Sequence, residues 1–82
     1  MPTAWRFGSL RVVIYPNDHR PAHVHVTGNG GEAVFNLHCP DGPPELRESY
    51  RFKTSELTMI EAELQRILER LCADWRAIHG HY

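Results

Sequence analysis

The stretch DHRPAHVHV, residues 18–26, contains one acid and three histidines: Asp18, His19, His23 and His25. Alternate side chains of an extended strand point to the same face, so we expect His23 and His25 to share one face. Histidine has an ordinary pKa close to neutrality, and its neutral ring is a common metal ligand. The pair is therefore a candidate for acid–base catalysis or for metal binding.

Metal binding is the first of the two interpretations. A His-x-His pair on a strand can supply two ligands to one divalent ion, and further ligands must then come from neighbouring acids and histidines. The candidates are Asp18, His19, Glu32 and His38. None of the compact spacings typical of metal sites is present, so a metal-dependent hydrolase would depend on His23, His25 and Asp18.

Metal-free cleavage of RNA by its own 2′-hydroxyl is the second interpretation. His23 and His25 would serve as base and acid, Asp18 would orient one of them, and His19 lies close by in sequence. Such cleavage also needs a cation near the phosphorus. Arg20 and Arg51 are the preferred candidates for phosphate contact, with Arg11 as a further one.

A structural interpretation of the histidines is also open. His19 and His23 can satisfy the proline-rich turn, and His25 can be a half-buried strand residue bonded to a carbonyl. The protein would then be a noncatalytic module that binds a protein partner through a sheet edge or around Trp75. The remaining histidines are expected to be exposed to solvent: His38, His79 and His81.

Short β-rich segments separated by turns must position these residues. The predicted strands are a short one ending near Phe7, then LRVVIY, HVHVT, EAVFNLH and an edge strand in ELRESYRF. GNGG, residues 28–31, predicts a hairpin turn, and the register around it places His23 or His25 opposite a residue such as Asn36 or Glu32. Ala33, Phe35 and Leu37 should share the apolar face.

A long helix should follow the strands. Apolar residues recur at intervals of three and four in a stripe: Leu57, Ile60, Leu64, Ile67, Leu68, Leu71, Trp75 and Ile78. Thr54 is the expected N-cap and Gly80 the expected stop. A straight helix from Ser55 to His79 would be about 38 Å long at about 1.5 Å per residue, so it either breaks or projects toward a partner. The predicted fold class is α+β, with a small antiparallel sheet of three to five strands and this helix on one face.

Length and composition set further limits. A chain of 82 residues predicts a single domain, 1–82, whose small core favours a shallow site and leaves room for a homodimer. Nine basic residues against ten acidic ones give a net charge of −1, which offers no general attraction for nucleic acid or membranes.

Cys39 and Cys72 show no paired pattern and favour a reducing cytoplasm, although the sequence is compatible with a bridge. No segment has the pattern of a signal peptide or a membrane span, so a cytoplasmic location is expected.

The run Asn17-Asp18-His19-Arg20-Pro21-Ala22-His23-Val24-His25-Val26 resembles a family of small bacterial proteins of unknown function, domain of unknown function four-one-six-zero. Ala22 stands where the family often has a second proline, and Val24 where it often has Phe. The resemblance implies a component of a toxin–antitoxin pair with a small antitoxin-like protein partner. It also implies that Asp18, His19, His23 and His25 are the functional positions. Small bacterial toxins most often attack RNA, so we expect an endoribonuclease.

Overall fold

Five strands form one antiparallel sheet in the computed structural model, which describes residues 3–82. The strands are β1 (Thr3–Phe7), β2 (Leu10–Val13), β3 (His23–Gly28), β4 (Gly31–Asn36) and β5 (Glu45–Tyr50). Their spatial order is the same as their order in sequence, so each is joined to its neighbour by a local connection. The predicted strands and the edge position of β5 are confirmed.

Two helices follow the sheet, α1 (Thr54–Arg66) and α2 (Leu68–His79). The predicted α+β class is confirmed, and of the two options for the long helix the structure shows the break, at Ile67, where φ is −110° and ψ is 18°. A straight helix of about 38 Å would exceed the longest dimension of the molecule, 33 Å. The break lets both helices bury apolar residues: Ile60 and Leu64 from α1, and Leu68, Leu71, Cys72 and Trp75 from α2.

The helix ends differ in how well the sequence predicts them. Thr54 is not the N-cap but the first helical residue, and the cap is Lys53. The backbone N–H of Lys53 donates to Oε1 of Glu56 at 2.8 Å, so the acid in the first turn satisfies the amide instead. Gly80 ends α2 as predicted, with a left-handed φ of 87° and its N–H bonded to the carbonyl of Arg76.

The two faces of the sheet have different roles. The face toward the helices carries the core, in which Ala33, Phe35 and Leu37 lie together as predicted. Val24 and Val26 of β3 are fully buried in the same core. Because side chains alternate along a strand, the opposite face of β3 presents His23, His25 and Thr27.

The register across the β3–β4 hairpin fixes what faces the histidines. His23 lies opposite Asn36, which is one of the expected pairs. His25 lies opposite Val34, and Glu32 lies opposite Thr27 rather than opposite a histidine. The next strand, β5, shifts in register between Val34 and Phe35 and so brings a different set of side chains to this face.

A disulfide joins Cys39 to Cys72, with 5.7 Å between their Cα atoms. The sequence favoured a reducing environment but was compatible with a bridge, and the structure shows the bridge. The two cysteines are 33 positions apart, so their pairing depends on the loop before β5 packing beside α2, which the sequence does not show directly. Disulfides are typical of oxidising compartments, so the cysteines no longer support the cytoplasmic prediction, which stays a prediction.

Among residues 3–82, neither helix has the length and apolar character needed to cross a bilayer.

Candidate functional site

The loop between β2 and β3 folds back over β3 and carries Asp18 to the histidine face. The backbone N–H of Asp18 donates to the carbonyl of Tyr15 at 3.0 Å. The backbone N–H of Tyr15 in turn donates to Oδ2 of Asp18 at 3.1 Å. This reciprocal turn fixes the carboxylate, a role for which aspartate is well suited in turns.

Three potential metal-ligand donor atoms lie close together, one each from Asp18, His23 and His25. Oδ2 of Asp18 lies 3.5 Å from Nε2 of His23 and 3.4 Å from Nε2 of His25. All three side chains offer one ligand atom within 4.8 Å of the others. Their side chains are only 15%, 7% and 17% exposed, respectively. The structure thus brings together the three residues that the sequence analysis named as metal candidates.

The outer ring nitrogens of the two histidines face oxygen atoms. Nδ1 of His23 donates to the carbonyl of Pro21 at 2.9 Å, and because a carbonyl only accepts, this nitrogen carries the proton. Nε2 of a neutral His23 therefore directs its lone pair at Asp18. Nδ1 of His25 lies 3.5 Å from Oε2 of Glu32.

His25 has no hydrogen bond although its ring is largely buried. Both of its nitrogens are inaccessible to solvent and without a bonded partner among the described residues. The separations of 3.4 and 3.5 Å from Asp18 and Glu32 are electrostatic contacts, since charge-assisted N–H···O bonds are about 2.7–2.9 Å long. Buried polar groups are seldom left unpaired, and those that are call for an explanation such as an ion.

These separations match the spacing of two ligands to one divalent ion. Two ligands placed about 2.0–2.1 Å from one tetrahedral ion are about 3.3–3.4 Å apart. The distances of 3.4 and 3.5 Å from Asp18 to the two histidines are close to that value. Two imidazoles and a carboxylate suit zinc, iron and similar transition-metal ions, and three protein ligands leave a position open for water or substrate.

An open cleft of about 470 Å³ lies over the three donors. One wall is the β2–β3 loop, the floor is formed by β3 and β4, and the second wall comes from β5. The lining residues are Asn17, Asp18, His19, Arg20, Pro21, His23, His25, Val34, Asn36, Arg47 and Glu48. Two arginines and an exposed histidine thus surround the open side of the candidate metal centre.

The other predicted residues are divided between the cleft and the rest of the surface. His19 and Arg20 are exposed and line the cleft. Arg51, predicted to contact phosphate, follows the end of β5 and is not among the lining residues, and neither is Arg11.

Two further histidines have other partners. His38 is exposed, as expected, and bonds to Glu45 at 2.8 Å, so it is not a ligand here. The expectation that His79 is exposed is wrong, because its ring packs on Trp75 and is half-buried. His81 is exposed as predicted.

Arg47 and its neighbour Glu48 are charged cleft residues that the sequence analysis did not name as site residues. The first of them adds positive charge to the cleft. It reaches the cleft from β5, whose register depends on the irregularity beside Val34 and Phe35. Alternation within β5 could have nominated one face of the strand, but the bulge decides which residues face the cleft.

Comparison with known protein families identifies a match that covers most of the chain. The family model described as Domain of unknown function (DUF4160) matches residues 10–76, which include the whole three-donor cluster and both cleft arginines. No curated protein and no solved structure matches the chain. Because the match covers most of the chain, the protein belongs to the family described as Domain of unknown function (DUF4160).

Proposed function

We propose that the protein is a metal-dependent endoribonuclease that acts as the toxin of a toxin–antitoxin pair. The observation that carries the proposal is the convergence of Asp18, His23 and His25, whose ligand atoms lie within 4.8 Å of one another, with Oδ2 of Asp18 3.4 and 3.5 Å from the two imidazoles. This assigns the two histidines as ligands rather than as the acid and base of a metal-free reaction.

The protonation of His23 favours a metal over a proton at this point. Since Nδ1 donates to the Pro21 carbonyl, the neutral ring faces the Asp18 carboxylate with a lone pair, and the two would repel each other. A proton on Nε2 would form a charge-assisted bond, which is normally much shorter than the observed 3.5 Å. A shared cation relieves the repulsion without shortening the distance.

The surroundings of the centre suit a phosphodiester. Arg20 and Arg47 line opposite walls of the cleft, and guanidinium groups bind phosphate oxygens through paired hydrogen bonds. The cleft is open rather than enclosed, so a polymer chain can lie across it. Cleavage by the adjacent 2′-hydroxyl needs no separately bound nucleophile, which suits a shallow site in a small domain.

The proposed step is an internal transfer at phosphorus. The 2′-oxygen forms a bond to phosphorus, the bond from phosphorus to the 5′-oxygen breaks, and the proton lost by the 2′-hydroxyl is balanced by one gained by the leaving 5′-oxygen. An ion held by Asp18, His23 and His25 would supply Lewis acidity toward a phosphate oxygen. Arg20 and Arg47 add positive charge to the developing phosphorane, and the exposed His19 is the free imidazole available for proton transfer.

The proposed cellular role is supported by family membership and not by the geometry of the site. The toxin–antitoxin role is what the resemblance to this family implies, and a small antitoxin-like partner is the matching proposal. A ribonuclease whose cleft is open to solvent would require such a partner to block it in the host.

Cleavage of a short RNA by purified protein tests the proposal. Metal-free protein should be inactive, addition of Zn²⁺, Mn²⁺ or Fe²⁺ should restore cleavage, and the products should carry a 2′,3′-cyclic phosphate and a 5′-hydroxyl. The same RNA with a deoxyribose at the cut position should resist cleavage. Unchanged activity in a chelator would contradict the metal and favour acid–base catalysis by His23 and His25.

Two arginines provide a matched pair of variants for the same assay. Arg47→Ala should lower the rate at least about tenfold, because it removes a charge from the cleft wall. Arg51→Ala should leave the rate unchanged, since Arg51 lies outside the lining. Equal effects of the two substitutions would contradict phosphate binding in this cleft.

Induced expression in a bacterial host tests the cellular role. The wild type should arrest growth and fragment RNA, and His25→Ala should do neither. Normal growth with intact RNA in both would favour the noncatalytic protein-binding module.

A further inference from the structure

Two aromatic residues contact the histidines of the candidate metal centre, and one of them belongs to α2. The ring of Trp75, which is fully buried, lies 5.2 Å from the ring of His23 between centroids. The ring of Tyr15 lies 4.9 Å from that of His25 in an edge-on arrangement. Each proposed histidine ligand is therefore backed by one aromatic residue.

His79 joins these two aromatic residues. Its ring stacks on Trp75 with 4.0 Å between centroids and an angle of 31° between planes. Its Nε2 lies 3.3 Å from the carbonyl oxygen of Tyr15, to which it donates. One half-buried side chain thus contacts both the residue behind His23 and the residue behind His25.

Tyr15 has a second connection to the centre. Its backbone N–H donates to Oδ2 of Asp18, the oxygen that faces both histidines. A bond from His79 to the carbonyl of Tyr15 therefore acts on the residue that holds the carboxylate and packs against His25. Trp75 is fixed on its far side as well, since its Nε1 donates to the carbonyl of His81 at 3.0 Å.

We infer that His79 is a positioning residue that holds the proposed metal ligands in their binding geometry through Tyr15 and Trp75. The inference rests on the proposed metal centre. A residue of this kind does not touch the ion, yet residues that orient ligands commonly change metal affinity by about tenfold to a hundredfold. Packing alone would make a different prediction, because an apolar residue of similar size would serve equally well.

Three variants separate positioning from packing. His79→Leu keeps apolar contact with Trp75 but cannot donate to Tyr15, whereas His79→Gln retains an amide N–H close to the position of Nε2. His81→Ala is the control, because His81 is exposed and only its backbone carbonyl contacts Trp75. Titration calorimetry with Zn²⁺ gives the affinity of each full-length variant, and thermal unfolding in a chelator reports whether each is folded.

His79→Leu should bind Zn²⁺ about tenfold more weakly than the wild type while unfolding at a similar temperature in the chelator. His79→Gln should recover most of the affinity, and His81→Ala should bind as the wild type does. Equal affinity of the Leu variant and the wild type would overturn the inference and leave the metal centre intact. A wild type that binds no Zn²⁺ would overturn both the inference and the proposed function.

Discussion

At the scale of single residues, His25 shows the conflict between stability and the proposed function most directly. Its ring is largely buried, and neither nitrogen has a hydrogen-bond partner among residues 3–82. An unsatisfied buried polar group costs about 1–3 kcal/mol of the free energy of unfolding. A metal ion would remove that cost, so the metal-free protein should be less stable than an apolar variant.

We therefore predict that His25→Phe raises the stability of the metal-free protein by about 1 kcal/mol, which is about 4–8 °C in the unfolding midpoint of a domain this small. The same substitution should abolish metal binding. Calorimetry in a chelator measures the midpoint. His38→Phe is the control, because His38 is exposed and bonded to Glu45, and it should give no such gain. A lower midpoint for His25→Phe would show that the ring is satisfied in the metal-free fold.

At the level of secondary-structure elements, a partly buried hydrogen bond connects the edge strand β1 to α1. Nε1 of Trp5 donates to Oε2 of Glu63 at 2.8 Å, and Arg66 donates to both oxygens of the same carboxylate. The hydrogen bonds from Arg66, with a smaller contribution from Trp5, hold the pKa of Glu63 below its usual value of 4.5. The carboxylate thus stabilises the edge strand only while it is ionised.

A folded pKa below the unfolded one means that this contribution is present above about pH 4.5 and is lost as the pH falls through the folded pKa. Glu63→Gln should cost about 1 kcal/mol at pH 7, because Arg66 is largely exposed and such pairs are weak. The cost should shrink toward pH 3. Urea unfolding at both pH values measures it, and a cost independent of pH would show that the ion pair does not contribute.

The sequence predicts the elements well where the signal is local. Alternation along β3 was enough to place His23 and His25 on one face, because the period of two belongs to any strand. Gly80 was recognisable as a stop for the same kind of reason. The break at Ile67 was only one of two options. The apolar stripe continues through Ile67, and the helix sequence does not indicate how long the sheet beneath it is.

Contacts between distant segments were harder to predict. The pairing of Cys39 with Cys72 depends on how the loop before β5 packs against α2. The entry of Arg47 into the cleft depends on a bulge in β5. The approach of Asp18 to the histidines depends on the turn that it forms with Tyr15, although its nearness in sequence made it a reasonable candidate.

At the scale of the whole molecule, metal binding should be coupled to folding. The proposed ligands come from the β2–β3 loop and from β3, and only the folded chain holds the carboxylate and the two imidazoles in this arrangement. A free ion at about 100 times its Kd stabilises a protein by about 2.7 kcal/mol. For a small domain this corresponds to a rise of about 10–20 °C in the unfolding midpoint.

Thermal unfolding with and without Zn²⁺ checks this coupling. The wild type should show the rise, and a chelator should reverse it. His25→Phe should show no rise, whereas His38→Phe should respond as the wild type does. An equal rise in all three proteins would indicate that zinc binds elsewhere on the chain.

The most direct test of the central claim is a titration of the metal-free protein with Co²⁺, followed by visible absorption. We predict saturation at one Co²⁺ per chain, with a ligand-field spectrum that His25→Phe lacks. Asp18→Asn should bind Co²⁺ with reduced affinity. A wild type without saturable binding, or a His25→Phe variant with the same spectrum and stoichiometry, would contradict a metal centre formed by Asp18, His23 and His25.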